Sequence, residues 1–481
     1  MTTAPTGPRA PRPYAKLPGP PGLPLLGNAL ALDPPNLHHQ LVAWADTYGP
    51  AYRLRIGRRR FLVVTDHAAI QSALRDRPTR FRRPDRSGAR AREMGFDDGL
   101  FFANDEVWAR QRRIVMAGFN PAQLKAYFDS IRDVAARLER RWCAAARRDD
   151  EIDVQADLMR YTVDVVAGLA FGQDVDTLSA DGDAIQQHLN RIFPALWRRT
   201  LAPVPWWRWF PTRADRELDA SVAEVQAAIR GFVAAARARL AADPARRARP
   251  ANVLEAMLVA AEDEGHPLAD ADVAGNVFVL LLAGEDTTAN TIAWLVHLLH
   301  ANPAAVARAR DEVRRVAPSP AAFTPESIAA LEYVEACLHE TMRLKPVAPL
   351  LTAEAVVDTE LAGVAVPAGV VVFAVLRHDS VREPWVDAPA EFRPERWLDP
   401  GQVAGLKRVS MPFGAGSRIC PGRGLALLEM KMAAAVLLGG FDGLEVYGDQ
   451  GRPVREHMAF AMGPVGLRMR LGGRVVRDGA R

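Results

Sequence analysis

Phe413-Gly414-Ala415-Gly416-Ser417-Arg418-Ile419-Cys420-Pro421-Gly422 runs into Gly424-Leu-Ala-Leu-Leu-Glu-Met-Lys-Met-Ala-Ala-Ala-Val-Leu-Leu438, which reads as a helix. Cys420 therefore sits in a glycine-rich turn just ahead of a helix N-terminus. The partial positive charge and unpaired amides of a first helical turn favour an anion such as a thiolate. The flanking glycines keep side chains off the sulfur, and Arg418 adds a nearby cation. Two uses remain open for a lone cysteine: a small buried hydrophobe, or a metal ligand. Cys143 and Cys337 lie far away in sequence with no C-x-x-C spacing, so a cysteine-built zinc or iron–sulfur site is excluded. One thiolate on one metal suggests haem, whose porphyrin supplies the remaining ligands.

Working outward, the chain has 481 residues, 49% hydrophobic and 25% charged, an ordinary globular composition with room for a large core. The formal net charge of +4 and the lack of a long basic tract exclude nucleic acid as a partner. Sparse cysteines fit a reducing, cytoplasmic setting. The N-terminus carries no apolar run of the ~20 residues that span a bilayer, which predicts a chain with no membrane anchor. Residues 1–16 read as a flexible tail. The proline-rich segment Leu17–Gly27 follows.

Ala51–Ile56 and Arg60–Val64 alternate as short strands joined at Gly57, and residues 346–376 carry further strand and turn signals. Elsewhere helices dominate, so the fold class is mainly α with a smaller β region. Residues 86–106 lack a sustained period and hold three glycines, which predicts a long loop. Residues 184–240 read as helices interrupted at Pro194, Pro203, Pro205 and Pro211, with an aromatic concentration over 193–210 that suits either helix packing or contact with a membrane surface.

Three motifs have two readings each. Trp108 and Arg112 fall on one helical face, where an indole N–H and a guanidinium suit a carboxylate or simply lie in solvent. Asp272–His300 is apolar nearly all round yet carries Glu285, Asp286, Thr287, Thr288 and Asn290 at its middle. Such a polar cluster is costly at a bilayer centre, so the helix belongs to a soluble core, where its hydroxyls either bond back to the helix or do chemistry. Glu340 and Arg343 stand three apart, as an ordinary surface ion pair does.

Together, Phe413-x-x-Gly416-x-Arg418-x-Cys420-x-Gly422, Trp108-x-x-x-Arg112, Ala283-Gly284-Glu285-Asp286-Thr287-Thr288, Glu340-x-x-Arg343 and Pro394-Glu-Arg396-Trp397 resemble the cytochrome P450 family in order and in kind. The resemblance covers nearly the whole chain and implies one haem domain over 17–481. It implies a helix-rich triangular prism with haem b between a long central helix and the helix after Cys420. It makes Cys420 the iron ligand, with Phe413 and Gly422 beside it, and assigns Trp108, Arg112 and Arg418 to the propionates. It makes Gly284, with Ala283, the space for dioxygen, Thr287 the hydrogen-bonding alcohol and Asp286 the proton relay. Glu285 has no assigned role. Glu340, Arg343 and Arg396 become a buried triad holding the cysteine loop.

Relatives often carry a propionate-binding arginine where this chain reads Thr352-Ala353-Glu354, which leaves Arg377 or His378 as candidate replacements. The resemblance further implies a substrate pocket walled by Phe96, Leu100, Phe101, Phe102, Phe278, Ala283, Val347, Leu350 and Phe460, all of which would serve equally well as core. The resulting expectation is a soluble, bacterial-type, monomeric monooxygenase acting with O2 on a lipophilic fatty acid, terpenoid, steroid or aromatic compound. Its electrons would come from NAD(P)H through a separate ferredoxin or flavodoxin and reductase, docked on Arg110, Arg113, Lys407, Arg408, Arg423 and Lys431. A peroxide-driven peroxygenase, a rearrangement enzyme and a haem-thiolate sensor or binding protein are the rival readings.

Overall fold

The computed structural model describes residues 10–179, 184–263 and 269–474. Of the expected flexible tail, residues 1–9 lie outside the described residues. The remainder is docked: β1 (Arg12–Pro13) pairs in parallel with β8 (Val364–Val366), and the buried Tyr14 donates to Phe61 O at 3.1 Å. The phenol could not reach that carbonyl if the segment were loose, so the tail reading is corrected from Arg12 onward.

The sheet next to it has the order β2-β3-β9-β6-β4, from Ala51–Ile56, Arg59–Val64, Val371–Val375, Leu350–Ala355 and Phe81–Arg82. Gly57, at φ +60°, turns β2 into β3, and the alternating burial of β2 places Tyr52, Leu54 and Ile56 inward. Two further strands, β5 (Ile152–Asp153) and β7 (Thr359–Leu361), join small sheets. At the C-terminal end β10 (Phe441–Gly448) pairs with β13 (Leu467–Arg474), and β11 (Arg455–Met458) forms a hairpin with β12 (Met462–Val465).

The helices that frame the site are α1 (Leu37–Tyr48), α2 (His67–Arg75), α3 (Asp85–Glu93), α4 (Asp105–Gly118) and α5 (Val154–Val166), followed by α6 (Ala184–Leu201), α7 (Arg213–Ala242), α8 (Asp270–His300), α9 (Glu332–Leu344) and α10 (Arg423–Gly440). The chain is about 60% helical. α8 runs through the main core and packs on α5, α7, α9 and α10. Its fully buried Phe278 and Trp294 each contribute roughly 1.5–3 kcal/mol of burial. Thr287 Oγ1, Asn290 Nδ2 and Thr291 Oγ1 each donate to the carbonyl four residues back at 2.8 Å, so the polar middle is absorbed without ending the helix.

Two expectations fail locally. Residues 86–106 are not one loop, because α3 occupies Asp85–Glu93. That helix buries only Gly88 and Ala91 and is held by the pairs Arg92–Asp85 and Arg90–Glu93, so it shows no apolar period to read. α6 runs through Pro194, and the break falls at 202–212, where Pro203, Pro205 and Pro211 cluster. There Trp207 is buried and donates to Glu93 at 2.9 Å, whereas Trp206, Trp209 and Phe210 are exposed. Among the described residues no helix is long and apolar enough to cross a membrane.

Candidate functional site

The cysteine loop is shaped by its glycines. Gly414 and Gly416 have φ near +70°, and a Cβ on Gly416 would stand 2.3 Å from the Leu74 carbonyl oxygen at the end of α2, so no other residue fits there. Cys420 N donates to Phe413 O at 3.0 Å, closing the loop. Gly422 is the N-cap of α10 and presents its amide to the sulfur. Cys420 is exposed although protein surrounds its thiol. Burial raises its pKa, and the Gly422 amide and Arg112 partly offset this.

Beside this loop lies a group of arginines. Arg418 Nη2 donates to Ala103 O at 2.6 Å and Asn104 Oδ1 at 3.0 Å, and its guanidinium stacks 4.7 Å over the Trp108 ring. Arg112, one turn beyond Trp108, is within charge contact of both Cys420 and Arg418. Burial and the neighbouring Arg77 hold the Arg418 pKa down at about 10. Among the described residues, no carboxylate bonds to Arg77, Arg83, Arg112 or Arg418. Uncompensated buried cations are unfavourable, and an anionic ligand relieves them. The accessible sulfur, the glycines around it and this cation group fit a metalloporphyrin with acidic side arms.

The other two propionate candidates turn elsewhere. Arg377 Nη1 is bonded to Glu456 Oε2 at 2.7 Å and His378 Nδ1 to Asp379 at 2.7 Å, so both side chains are engaged with carboxylates of their own. Glu456, on β11, also takes His38 and His39 of α1 at 2.8 Å, and Lys345. Neither Arg377 nor His378 replaces the arginine missing from 352–354.

On α8, Asp286 accepts from Asn290 Nδ2 at 2.6 Å and from the Ala461 amide, and Asn290 Oδ1 accepts from Gln155 Nε2 at 2.8 Å. Burial raises the Asp286 pKa, and those two donors pull it back in part. A crevice of about 180 Å³ opens onto Asp286, lined also by Gln155, Asn290, His457 and Phe460. Ala283 is exposed, and its carbonyl accepts from the Thr287 hydroxyl. Gly284 is corrected: a Cβ there would meet Val166 Cγ2 at 2.6 Å, so its missing side chain admits α5 rather than a small ligand.

The expected pocket wall divides. Phe96 stacks on Phe278 at 3.7 Å between ring centroids, and both are buried with Leu100 and Phe102, so these four are core. Phe101 and Phe460 stay partly open, their rings 5.9 Å apart, with Phe193 6.2 Å from Phe460. Val347 is half-buried and ties β12 through Met462 N at 2.7 Å. Leu350 is also corrected: it packs against the core cluster of Leu37, Phe61 and Phe373, while its neighbour Leu351 lies toward Gly414 of the cysteine loop.

Glu340 and Arg343 are fully buried and bidentate at 2.7 and 2.8 Å, and Arg396 Nε reaches Glu340 at 3.3 Å. Their remaining donors go to the carbonyls of Ser380, Ala388, Pro389 and Glu391. The group therefore pins the 380–391 segment, and its side-chain bonds do not enter Phe413–Gly422. Of the expected basic face, Arg113, Lys407, Arg408 and Arg423 are exposed. Arg110 is turned to Asp272 and Lys431 is buried on Glu335, so these two are withdrawn from it.

Sequence reasoning missed Arg77, Arg83, Gln155 and Glu456, and it named Asn290 without giving it a role of its own. Asn290 alone had a signal, standing one helical turn after Asp286. The others depend on contacts between distant segments.

Comparison with known proteins then adds ancestry to geometry. The sequence model described as Cytochrome P450 matches residues 17–471. Among similar proteins are a self-sufficient cytochrome P450 monooxygenase of Oidiodendron maius (28% identical, covering 89% of this chain and 39% of that one) and a bifunctional cytochrome P450/NADPH–P450 reductase of Acremonium egyptiacum (28%, 89% and 40%). The thromboxane-A synthase of Macaca fascicularis is 28% identical over 82% of this chain and 80% of its own. The chain thus spans well under half of the fungal relatives' length. These relatives are fungal and primate, and they give no support to the bacterial-type expectation.

Proposed function

The chain belongs to the cytochrome P450 family, and from that premise we propose that it is a haem-thiolate monooxygenase that places one atom of O2 in a lipophilic small molecule. The observation that carries the reading is the accessible Cys420 sulfur at the start of α10, set beside cations that lack carboxylate partners. Cys420 would hold the iron, and Trp108, Arg112 and Arg418 the propionates. Haem, when bound, supplies the redox chemistry that divides O2 between product and water.

The protein's own residues manage protons and position. The Asp286 carboxyl, its pKa raised by burial, takes protons arriving through the crevice beside Gln155 and His457 and passes them inward. Thr287 Oγ1 can release Ala283 O and donate toward the site. Phe101, Phe193, Phe460 and Ala283 offer an apolar surface, which supports a fatty acid, terpenoid, steroid or aromatic substrate. Cys420 as a spectator thiol would need neither the acid–alcohol pair nor its inlet, which favours turnover over sensing and O2 over peroxide.

Electrons come from NAD(P)H through a redox partner, a ferredoxin or flavodoxin served by a reductase. It docks on the exposed Arg113, Lys407, Arg408 and Arg423 face by charge attraction. A reductase of the kind named in the bifunctional relatives would meet the same cations. Incubation with NADPH, a redox system and isotopically labelled O2 tests the reading: one labelled atom per product molecule supports it. Product formed only with added peroxide points to a peroxygenase, and binding without product to a sensor.

A further inference from the structure

Arg77 is 7% exposed, and its Nη2 donates to Thr352 O at 2.8 Å. A guanidinium therefore stands at the stretch Thr352–Glu354, where the backbone itself offers no arginine. Its Nε is sealed from solvent and has no partner. Arg83 is placed alongside: its guanidinium lies 3.7 Å over the Phe101 ring, and its Nε is likewise sealed and unpartnered. Arg83 is within charge contact of Arg77 and Arg418, and burial together with these two cations drives its pKa well below the usual arginine range. The acids in the neighbourhood do not answer this charge. Glu354 is paired with Arg82, and Asp105, which faces Arg418, is exposed.

We propose that Arg77 and Arg83 are carboxylate anchors for the haem propionates, taking the place of the arginine that 352–354 lacks. The inference rests on the haem-thiolate reading and extends it to residues outside the recognised motifs. A planar guanidinium fork with no carboxylate partner of its own is suited to meet one, and a charge-assisted bond is among the stronger polar contacts available. Arg77 is held in its place by the Thr352 carbonyl, and Arg83 by the face of Phe101.

The test is haem release from the holoprotein to excess apomyoglobin, measured for wild type, Arg77→Met and Arg83→Met, each loaded with protohaem or with its dimethyl ester. Wild type should release the ester roughly 10- to 100-fold faster than protohaem, the range for losing charged hydrogen bonds. Each Met variant should release protohaem faster than wild type and respond less to esterification. Arg83→Lys, which keeps the charge without the fork, should fall between, so a folding defect in the Met variant does not leave the question open. Equal sensitivity to esterification in wild type and both Met variants would overturn the proposal. So would unchanged haem release accompanied by lost affinity for a fatty acid, which would assign the arginines to a substrate carboxylate. A wild type that binds no haem through Cys420 would instead overturn the reading beneath it.

Discussion

Asn290 Nδ2 stands 2.6 Å from Asp286 Oδ1, one helical turn away along α8, and its own carbonyl is held by Gln155 of α5. The acid expected to move protons is thus oriented from a neighbouring helix, at the inner end of a crevice. Asp286→Asn, which keeps the shape and loses the proton, should lower product formation by roughly 100-fold or more while haem content stays at the wild-type level. Gln155→Leu, touching Asp286 only through Asn290, should give a smaller loss and raise the solvent isotope effect. Unchanged turnover in Asp286→Asn would remove it from the relay.

Thr287→Ala should leave haem binding and reduction intact and divert electrons to released hydrogen peroxide. The readout is product formed per NADPH consumed. A wild-type ratio would mean that Thr287 serves only its bond to Ala283 O.

Gly284 offers a test of packing against ligand space. Gly284→Ala places a methyl 2.6 Å from Val166 Cγ2, an overpacking that should cost about 1–3 kcal/mol in urea unfolding. Val166→Ala in the same chain should recover part of that loss. A failure of Val166→Ala to rescue would return Gly284 to the ligand side of the helix.

The Glu340–Arg343 pair is fully buried with every donor engaged. Glu340→Gln leaves Arg343 and Arg396 without their counter-charge and should destabilise by about 3–5 kcal/mol. Limited proteolysis should then cut first within 380–391, the segment whose carbonyls the arginines hold. Cutting that begins elsewhere would argue against this pinning role.

Acid should loosen the tie between α1 and the β11–β12 hairpin. Burial opposes ionisation of Glu456, but hydrogen bonds from His38 and His39 and the charges of Arg377 and Lys345 hold its pKa far below the usual range. A depressed native pKa gives stability that is present above the unfolded value of about 4.3 and is lost as pH falls below it. Burial also holds the His38 pKa down, which adds a loss beginning below about pH 6.5. Unfolding free energy of the wild type should therefore fall more steeply between pH 5 and 3 than that of Glu456→Gln, in roughly the window where a free glutamate titrates. Parallel curves would show that Glu456 does not carry this dependence.

The fold was legible where a pattern is local. The apolar length of Asp272–His300, the alternation in Ala51–Ile56 and the glycine turn before α10 each state their own structure. α3 was hidden because ion pairs rather than an apolar stripe hold it, and the run of α6 through Pro194 because proline ordinarily marks an end. In the site, Cys420, Trp108 and Arg418 were singled out through the family resemblance, and the structure sets Arg418 over the Trp108 ring. Arg77 and Glu456 were not, since each owes its place to a partner hundreds of residues away in the chain. Gly284 was misread because a glycine reports that space is needed without saying which side needs it.

The most direct measurement is the difference spectrum of the dithionite-reduced protein with carbon monoxide, run beside Cys420→Ser. Thiolate ligation by Cys420 predicts a strongly red-shifted Soret band in the wild type and its loss in the variant. A band at the position of ordinary histidine-ligated haem, or a red-shifted band that survives in Cys420→Ser, would contradict the account at its centre.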